Sequence, residues 1–262
     1  MQSPSPQRQS QAIVIITLAY ALLGWAALVL AVPPGYAAPL FPASGVALVG
    51  VLIWGRALLP GITLAAFAVA LGALWGATDA DDLARIAGVA AAIALGVALQ
   101  TAAGVWLLTR RLPQPLQLTE LRDVALFLLF GAVLASAISA SVAVAALLSA
   151  GLVRPEDAFF TWWTWWTGDA LGVAVGAPVM LCFVGAPREL WRGRLRSVAL
   201  PLATASVLVG AMIAQVSRWD AERAQARFDH DAATARNAVA TQLETPLHAL
   251  AALAGLFVAS DT

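Results

Sequence analysis

The sequence predicts an all-α, polytopic membrane protein, in which a bundle of seven transmembrane helices is followed by an amphipathic helix outside the membrane. Three observations support this fold class. Of the 262 residues, 61% are hydrophobic and only 11% are charged, which leaves too little polar surface for a soluble domain of this size. Long apolar runs alternate with short polar loops, so the chain crosses a bilayer repeatedly. From Arg218 onward the composition changes abruptly to charged and Ala-rich.

Seven apolar runs are long enough, or nearly long enough, to cross a bilayer. At a rise of about 1.5 Å per residue, roughly 20 helical residues span a hydrocarbon layer about 30 Å thick. The second run is short, and the fourth to sixth are long enough to tilt. We therefore divide the chain into a cytoplasmic N-terminal segment (1–11), a seven-span membrane domain (12–217) and an extracellular C-terminal helix (218–262). The predicted spans are Ala12 to Val32, Leu40 to Gly55, Leu58 to Gly76, Leu83 to Thr109, Val124 to Ala150, Phe159 to Val184 and Val198 to Val216.

The arginines predict the orientation of the spans, because Lys and Arg are retained on the cytoplasmic side of a bacterial inner membrane. With the N-terminus inside, nine arginines fall in cytoplasmic segments, two (Arg85 and Arg154) fall outside, and four lie in the tail. The acidic loop with Asp79, Asp81 and Asp82 also falls outside. An odd number of spans then places the C-terminus in the periplasm or outside the cell. The nine cytoplasmic arginines are Arg8, Arg56, Arg110, Arg111, Arg122, Arg188, Arg192, Arg194 and Arg196.

The tail carries apolar residues at helical spacing from Phe228 to Phe257. Its first part is too polar to cross lipid, so we interpret it as an amphipathic helix that rises from the membrane. Nothing else in this chain can bury the apolar stripe, and we expect two copies to pair through it as a homodimer. The sequence stops at Thr262 on this pattern, without a capping signal or polar tail, which predicts that it is the front part of a longer protein.

A slim helix end is predicted at the start of the second span. Pro42 occupies the first turn, where a proline removes no intrahelical hydrogen bond. Ser44 and Gly45 follow within one turn, so a neighbouring helix can approach this end closely. A plain helix start followed by a hairpin turn at Arg56 and Pro60 also accounts for these residues without any functional role.

A tryptophan-rich stretch with one acid opens the sixth span. Four tryptophans fall within residues 162–166, where they are placed to form an interfacial belt. Asp169 lies seven residues beyond Trp162, about 10 Å further along the helix axis and well inside the hydrocarbon. An ionised carboxylate there costs several kcal/mol unless it is paired or protonated. We therefore expect a specific partner for it, with Ser44 the first candidate and Arg85 the second.

One face of this span combines Asp169 with tryptophans and glycines. Glycines at every fourth residue let backbones approach closely, so we expect Asp169 to point into the bundle at a tight helix crossing. Two interpretations remain open, a structural polar contact and a ligand-coupled or proton-coupled switch. The residues assigned to sensing or switching are Asp169, Trp162, Trp165, Trp166, Ser44 and Gly45, and those assigned to helix packing are Gly168, Gly172 and Gly176.

Four motifs resemble a known family, the membrane-associated sensor domain of the first MASE type, over about residues 12–191. They are residues 42–48, 54–62, 110–112 and 163–172 with Pro178 beyond. The resemblance implies a membrane input module of a bacterial signalling protein. The output elsewhere in the family is a histidine kinase of a two-component system or an enzyme that makes or degrades cyclic-di-GMP, and no motif of these outputs occurs in this chain. Residues 227–261 also resemble the opening helix of a CHASE extracellular sensory domain.

Other function classes fit the residues less well. The net charge of zero gives no field for nucleic acid, and the absence of Lys removes Schiff-base chemistry. An intramembrane protease needs paired aspartates or a Ser with a His, whereas Asp169 is the only acid deep in a span and both histidines lie in the tail. A small transporter or channel that uses Asp169 is the main alternative, although the stretches Ala87 to Leu99 and Leu126 to Ala135 offer a pathway no polar side chain. A membrane module that docks a partner protein is the third alternative.

We therefore predict a non-enzymatic sensory module of the bacterial inner membrane, with no catalytic residue, cofactor or metal. Its expected partners are the lipid bilayer, a second copy of the chain, and either a membrane protein or a small-molecule stimulus.

Overall fold

The computed structural model is all-helical, without strands, in the residues that it describes. The chain forms two compact units, Met1–Met212 and Ile213–Thr262, and the helical bundle belongs to the first. The acidic loop at 79–82, most of the predicted C-terminal helix and nearly all of the CHASE-like segment lie outside the described residues. The described residues are 6–28, 37–75, 83–213 and, further along, 215, 216, 219, 223, 228, 232–234 and 236.

The helices follow the apolar runs of the sequence and are joined by short connections. A 3₁₀ turn, Arg56–Leu58, leads directly into α3, and a π-helical segment, Leu128–Leu134, makes α5 and α6 one continuous helix. The helices are α1 (Pro6–Leu28), α2 (Ala43–Trp54), α3 (Leu59–Trp75), α4 (Leu83–Arg111), α5 (Leu121–Phe127), α6 (Ala135–Ser149), α7 (Ala158–Val184), α8 (Arg188–Gly193) and α9 (Leu195–Ile213).

Six helical stretches of the described residues are long and apolar enough to cross a membrane, which confirms a polytopic membrane protein. They correspond to six of the seven predicted spans. The remaining one, predicted over Leu40 to Gly55, differs because its helix α2 has only 12 residues. At about 1.5 Å per residue this helix is about 18 Å long, shorter than a hydrocarbon layer of about 30 Å. The six long stretches are Gln9–Leu28, Arg56–Trp75, Leu83–Arg111, Leu121–Ser149, Pro155–Val184 and Leu195–Ile213.

The short helix α2 is the centre of the bundle. It packs against α1, α4 and α7, and its first nine residues, Ala43 to Val51, are all buried. Its small residues Ala43, Gly45, Ala47 and Gly50 let neighbouring helices approach closely, so α2 is suited to a central position. The outer helices contact one another in the sequence α1 to α3, α3 to α4, α4 to α6 and α6 to α7.

A non-helical segment, residues 37–42, leads into α2. Pro39 and Pro42 disfavour helix in the residues before them, which explains why α2 begins three residues later than predicted. The backbone N–H of Phe41 instead donates to the carbonyl oxygen of Gly168 in α7, at 3.1 Å. Irregular backbone at membrane depth is tolerated where protein covers it, and Ala37, Ala38 and Leu40 are buried. Residues 37–42 thus form part of the packed interior.

Glycines in the left-handed region end two of these helices. Gly55 has a φ of +85° directly after α2, which frees the chain to turn into α3. Gly151 has a φ of +66° after α6, where Leu152 N donates to Leu147 O and Gly151 N donates to Leu148 O. This pair of bonds satisfies the last carbonyls of α6 and lets the chain reverse into α7.

Candidate functional site: a buried aspartate between a glycine crossing and an apolar cavity

The glycine face of α7 contacts the backbone of residues 38–42. A Cβ atom on Gly168 would overlap the carbonyl oxygen of Ala38, and one on Gly172 would overlap that of Phe41. A Cβ atom on Gly176 would lie 2.6 Å from the carbonyl oxygen of Pro42. Each glycine therefore makes room for one carbonyl group, and the four-residue spacing places successive turns of α7 against the non-helical segment. We call this contact the glycine crossing.

The start of α2 completes the glycine crossing from the other side. A Cβ atom on Gly45 would lie 2.5 Å from Ala177 N and 2.6 Å from Gly172 O, so no larger residue fits there. The hydroxyl group of Ser44 lies 2.9 Å from both Phe41 O and Asp169 O and donates to these carbonyls. The structure thus brings Ser44 and Gly45 together with the glycines of α7, and it places Asp169 beside them.

The carboxyl group of Asp169 is buried deep in the bundle. Its residue is 4% exposed and lies 11 residues after the start of α7 at Ala158, or about 16 Å along the axis. The hydroxyl group of the fully buried Ser139 on α6 faces the carboxyl group. The pair does not reach full hydrogen-bond geometry, and Ser139 Oγ and Asp169 Oδ2 have no hydrogen-bond partner among the described residues. No ion pair to Asp169 is formed in the described part of the chain.

A line of polar side chains continues from Asp169 towards α4. Ser136 lies one turn before Ser139 on α6 and is fully buried. Its hydroxyl oxygen is 3.3 Å from Gln100 Nε2 on α4, whereas Gln100 Oε1 has no partner among the described residues. Buried polar groups that remain unpaired are costly in a membrane interior, which makes this line a candidate for function.

An apolar cavity opens on another side of Asp169. It has a volume of about 50 Å³, is open on one side, and is bordered by α1, α3, α4, α7 and residues 37–41. The lining is aliphatic except for Asp169 and three aromatic side chains, Tyr20, Phe41 and Trp165. Tyr20 is 1% exposed, and its ring meets that of Phe41 edge to face at a centroid distance of 6.0 Å. We call this space the Asp169 cavity.

The tryptophans at the start of α7 are divided between two neighbours. Trp162 donates from Nε1 to Ser141 Oγ on α6 at 3.0 Å, and Trp166 donates from Nε1 to Val133 O at 2.9 Å. Their rings stack at a centroid distance of 5.8 Å, whereas Trp165 lines the Asp169 cavity instead. Val133 lies in the π-helical segment, where the altered backbone pairing makes a carbonyl group available to a side chain. We call this end of the bundle the tryptophan end.

Beyond the opposite end of α7, polar contacts join α8 and Arg194 to the loop before α5, and Arg188 to α7 itself. Trp191 on α8 is 2% exposed, and its Nε1 donates to Leu116 O at 3.1 Å. Arg194 donates to Gln117 O at 2.5 Å, and Arg188 donates to Phe183 O at the end of α7. A shift of α7 would therefore change these contacts directly.

The surroundings of Asp169 differ from the partners expected for it. Ser44 bonds to the backbone carbonyl oxygen of Asp169, not to its carboxyl group, because the glycine crossing brings the hydroxyl group over the backbone of α7. The guanidinium group of Arg85 lies beside Gly151 in the loop after α6. Ser139 faces the carboxyl group instead and was not singled out from the sequence.

Several other site residues could not be recognised as a group in the sequence. Gln100 and Ser136 each directly follow an apolar stretch that argued against a polar pathway, and only the packing of α4 on α6 brings them together. Tyr20 lies with Thr17 in an otherwise apolar run, and nothing local distinguishes it from an interfacial tyrosine. Polar residues inside predicted spans are the signal that could have suggested all three.

The donor set is not that of a metal centre. Among the described residues no three His, Cys, Asp or Glu side chains come together. One carboxyl group, hydroxyl groups, an amide and aromatic rings can exchange protons, accept hydrogen bonds or hold an organic cation, but they offer no nucleophile paired with a base.

Comparison with protein families identifies the membrane domain. The family model MASE1 matches residues 11–217, which is most of the chain. The chain belongs to the MASE1 family. MASE1 is a membrane-associated sensory domain of signalling proteins, and it is an input domain and not a catalytic one. Comparisons with curated proteins and with solved structures gave no match.

Proposed function

We propose that this MASE1 chain senses a stimulus within the membrane and that Asp169 is its switch. The observation that carries the proposal is the position of the carboxyl group, which is buried, lacks a hydrogen bond at Oδ2, and lies between the glycine crossing and the Asp169 cavity. A group in this position interacts with whatever enters the cavity and is rigidly connected to the packing of two helices. We propose a histidine kinase or a cyclic-di-GMP enzyme as the output, on the basis of the family resemblance.

The cost of burying a charge is large enough to drive such a switch. An ionised Asp at the centre of a membrane helix costs about 2.5–3.5 kcal/mol. Because each 1.4 kcal/mol changes an equilibrium constant tenfold, neutralising the group would shift a two-state equilibrium by about a hundredfold. A population ratio of 1:99 could thus be brought close to even, which is sufficient for a graded response.

The glycine crossing supplies the element that the switch would move. Residues 38–42 and α7 contact each other backbone to backbone, so a change at Asp169 cannot be absorbed by side-chain rearrangement alone. α7 extends for 27 residues to Val184, and α8 then fastens its far end to Leu116 through Trp191. We propose that a small shift of α7 carries the signal from the tryptophan end to the opposite end of the bundle.

We propose a seven-span topology with the tryptophan end outside. Helix α2 is about 18 Å long, so residues 37–42 need to add only about 2 Å each, below the maximum of about 3.3 Å for an extended residue, to complete the second crossing. The asymmetric arginine distribution supports a cytoplasmic N-terminus and a periplasmic C-terminus. Alkaline phosphatase fused at Ala80 or after Arg227 should be active, and the same enzyme fused at Leu116 or Arg194 should be inactive. The reverse pattern would show that the orientation is wrong.

We also propose a homodimer that pairs through the C-terminal helix, which continues into a CHASE-like sensory domain. The support for both comes from the sequence pattern between Phe228 and Phe257. In such a dimer, a movement within the bundle would be transmitted through α9 to the C-terminal helix of the same chain.

The substitution Asp169→Asn tests the switch. It keeps the shape and the hydrogen-bonding capacity of the side chain and removes the ability to ionise, so a purely structural contact should tolerate it at a cost of about 1 kcal/mol. We expect the variant to accumulate in the membrane like the parent but to hold the output constant across growth conditions under which the parent's output varies. The measurement is kinase or cyclic-di-GMP output per folded molecule, in the full-length signalling protein that contains this chain.

The control is Glu156→Gln, which makes the same change at an exposed carboxylate on the tryptophan end. Glu156 contacts Arg154 at the surface, and its side chain is 62% exposed, so output should respond as in the parent. A normal response from Asp169→Asn would reduce Asp169 to a structural contact and reject the switch.

The polar line from Asp169 to Gln100 favours transport as the second candidate function. A transporter would move protons or a monovalent cation past Gln100, Ser136 and Ser139. The purified chain in liposomes with an internal pH dye would then dissipate a proton gradient faster than empty liposomes, and Asp169→Asn would abolish the flux. A flux equal to that of empty liposomes would reject transport of protons and favour the sensory role.

A further inference from the structure

The Asp169 cavity has the composition of a site for an organic cation. Aromatic faces attract cations, and clusters of aromatic rings are the common means of recognising ammonium groups. Tyr20, Phe41 and Trp165 all line the cavity, and they come from α1, the 37–42 segment and α7 respectively. Asp169 lines the same space and provides the single acidic group. Trp165 and Asp169 lie one turn apart on α7, whereas Tyr20 and Phe41 come from two other segments of the chain, so the convergence of these three segments is a property of the fold.

Among the residues that the structure describes, the carboxyl group has no charge partner that a ligand would have to displace. Its Oδ2 lacks a hydrogen bond, and no ion pair to Asp169 is formed within the described residues. A buried charge is stable when it is paired, so an ammonium ion would lower the cost of ionising this group. A neutral or anionic molecule offers no such compensation.

The length and lining of the cavity determine the length and polarity of a ligand that fits it. On α1 the lining extends from Tyr20 to Leu28, and on α3 from Ala66 to Leu74, which is eight residues or about 12 Å in each case. Apart from the groups named above, this length is lined by aliphatic side chains. A molecule that brings its polar group to Asp169 must therefore present an apolar body about one membrane half-layer long to the remainder of the cavity.

We propose that the Asp169 cavity binds a slim lipophilic ammonium ion, with its nitrogen at Asp169 among the three aromatic rings and its apolar body extending towards the tryptophan end. Binding is a property of the cavity alone. The further step, that the ammonium ion is the stimulus, rests on the proposed sensory function.

The experiment compares four probes of equal chain length with the full chain in lipid nanodiscs. The protein carries 5-fluorotryptophan, and the fluorine resonance of Trp165 is assigned by its loss in Trp165→Phe. The probes are octylammonium, octyltrimethylammonium, octanol and octanoate. We expect a saturable shift of the Trp165 resonance with the two ammonium probes, at concentrations about tenfold lower than with octanol, and none with octanoate.

Two substitutions test the assignment of the carboxyl group and the rings. Asp169→Asn should reduce the ammonium affinity to that of octanol, whereas Glu156→Gln should leave it unchanged. Tyr20→Leu should weaken ammonium binding severalfold with little effect on octanol binding. This second variant still tests the cation site if Asp169→Asn does not fold. The dispersion of the other tryptophan resonances reports whether each variant is folded.

Three outcomes would overturn the proposal. Equal affinity for octanol and the ammonium probes would show an apolar site that accepts a lipid chain. A linear, unsaturated shift with every probe would show partition into the bilayer, and an unchanged ammonium affinity in Asp169→Asn would show binding elsewhere. Failure of the sensory function gives a different result, since ammonium binding would persist while the output of Asp169→Asn responds as in the parent.

Discussion

The two flanks of α7 at Asp169 are built in opposite ways. On one flank, Gly172 and Gly176 meet the carbonyl groups of residues 38–42 so closely that a single Cβ atom does not fit. On the other flank, α7 borders the Asp169 cavity, where empty space remains between aliphatic and aromatic side chains. One residue, Asp169, contributes its backbone carbonyl to the first flank and also lines the cavity on the second.

This difference shows how one helix can combine rigid packing with a site that accepts change. Backbone-to-backbone contacts have no side-chain freedom, so at the glycine crossing α7 and residues 38–42 can move only together. A cavity beside it can change its contents at little cost in packing. The position of the carboxyl group is therefore set by the crossing, while its environment is set by whatever occupies the cavity.

The largest effect is expected from Gly172→Leu, on the packed flank. Even the first side-chain atom would overlap Phe41 O, which belongs to backbone and cannot rotate away. Overpacking typically costs about 1–3 kcal/mol, and we expect this variant at or above the upper end of the range. The measurement is the amount of folded protein extracted from membranes, by size-exclusion chromatography of a fluorescent fusion.

Gly88→Leu is the matched control for this substitution. Gly88 also lies inside a membrane helix, α4, but a Cβ atom there meets no other atom within 4 Å. The control should accumulate like the parent. An equal loss of folded protein in both variants would mean that replacing any helical glycine by leucine is harmful. The glycine crossing would then have no special role in stability.

A smaller effect is expected from Ser44→Ala, which removes a hydrogen bond from the packed flank without adding an atom. Hydrogen bonds between membrane helices contribute about 0.6 kcal/mol on average, and about 1 kcal/mol is typical in soluble proteins. We expect a loss of about 0.5–1 kcal/mol in the free energy of unfolding, measured by titration with SDS in mixed micelles. Ser149→Ala is the control, because that exposed hydroxyl group bonds only to Ala146 O of its own helix. An equal loss of unfolding free energy in the control would show that the Ser44 hydroxyl group does not specifically stabilise the glycine crossing.

Sequence patterns predicted the packed flank better than the open one. The four-residue spacing of Gly168, Gly172 and Gly176 is a local signal, and it indicated a close approach on this face of the helix. The partner of that face was harder to predict. With Pro39 and Pro42, the first turn of the expected second span is replaced by non-helical backbone, and a count of apolar residues does not detect this change.

The open flank has no signature along the chain. The cavity exists because α1, α3, α4 and α7 do not fill the space beside Asp169, and such a space depends on tertiary packing of residues far apart in sequence. The same holds for Ser139, which became part of the site only when α6 packed on α7. Asp169 itself was recognisable because a single acid deep in an apolar run is costly.

The smallest effect is expected from Ala70→Val, which adds two methyl groups on the open flank. Ala70 on α3 lines the Asp169 cavity, so the new atoms can occupy empty space and gain contacts. We expect the free energy of unfolding to change by less than about 1 kcal/mol in either direction. Ala177→Val makes the same change on the packed flank, where Ala177 is fully buried and its backbone N lies 2.5 Å from a Cβ placed on Gly45, and it should cost about 1–3 kcal/mol. The same SDS titration compares the two variants directly. If they lose equal stability, the two flanks are packed alike and the cavity is not open space in the membrane; if only Ala177→Val is destabilised, the difference between the flanks is established.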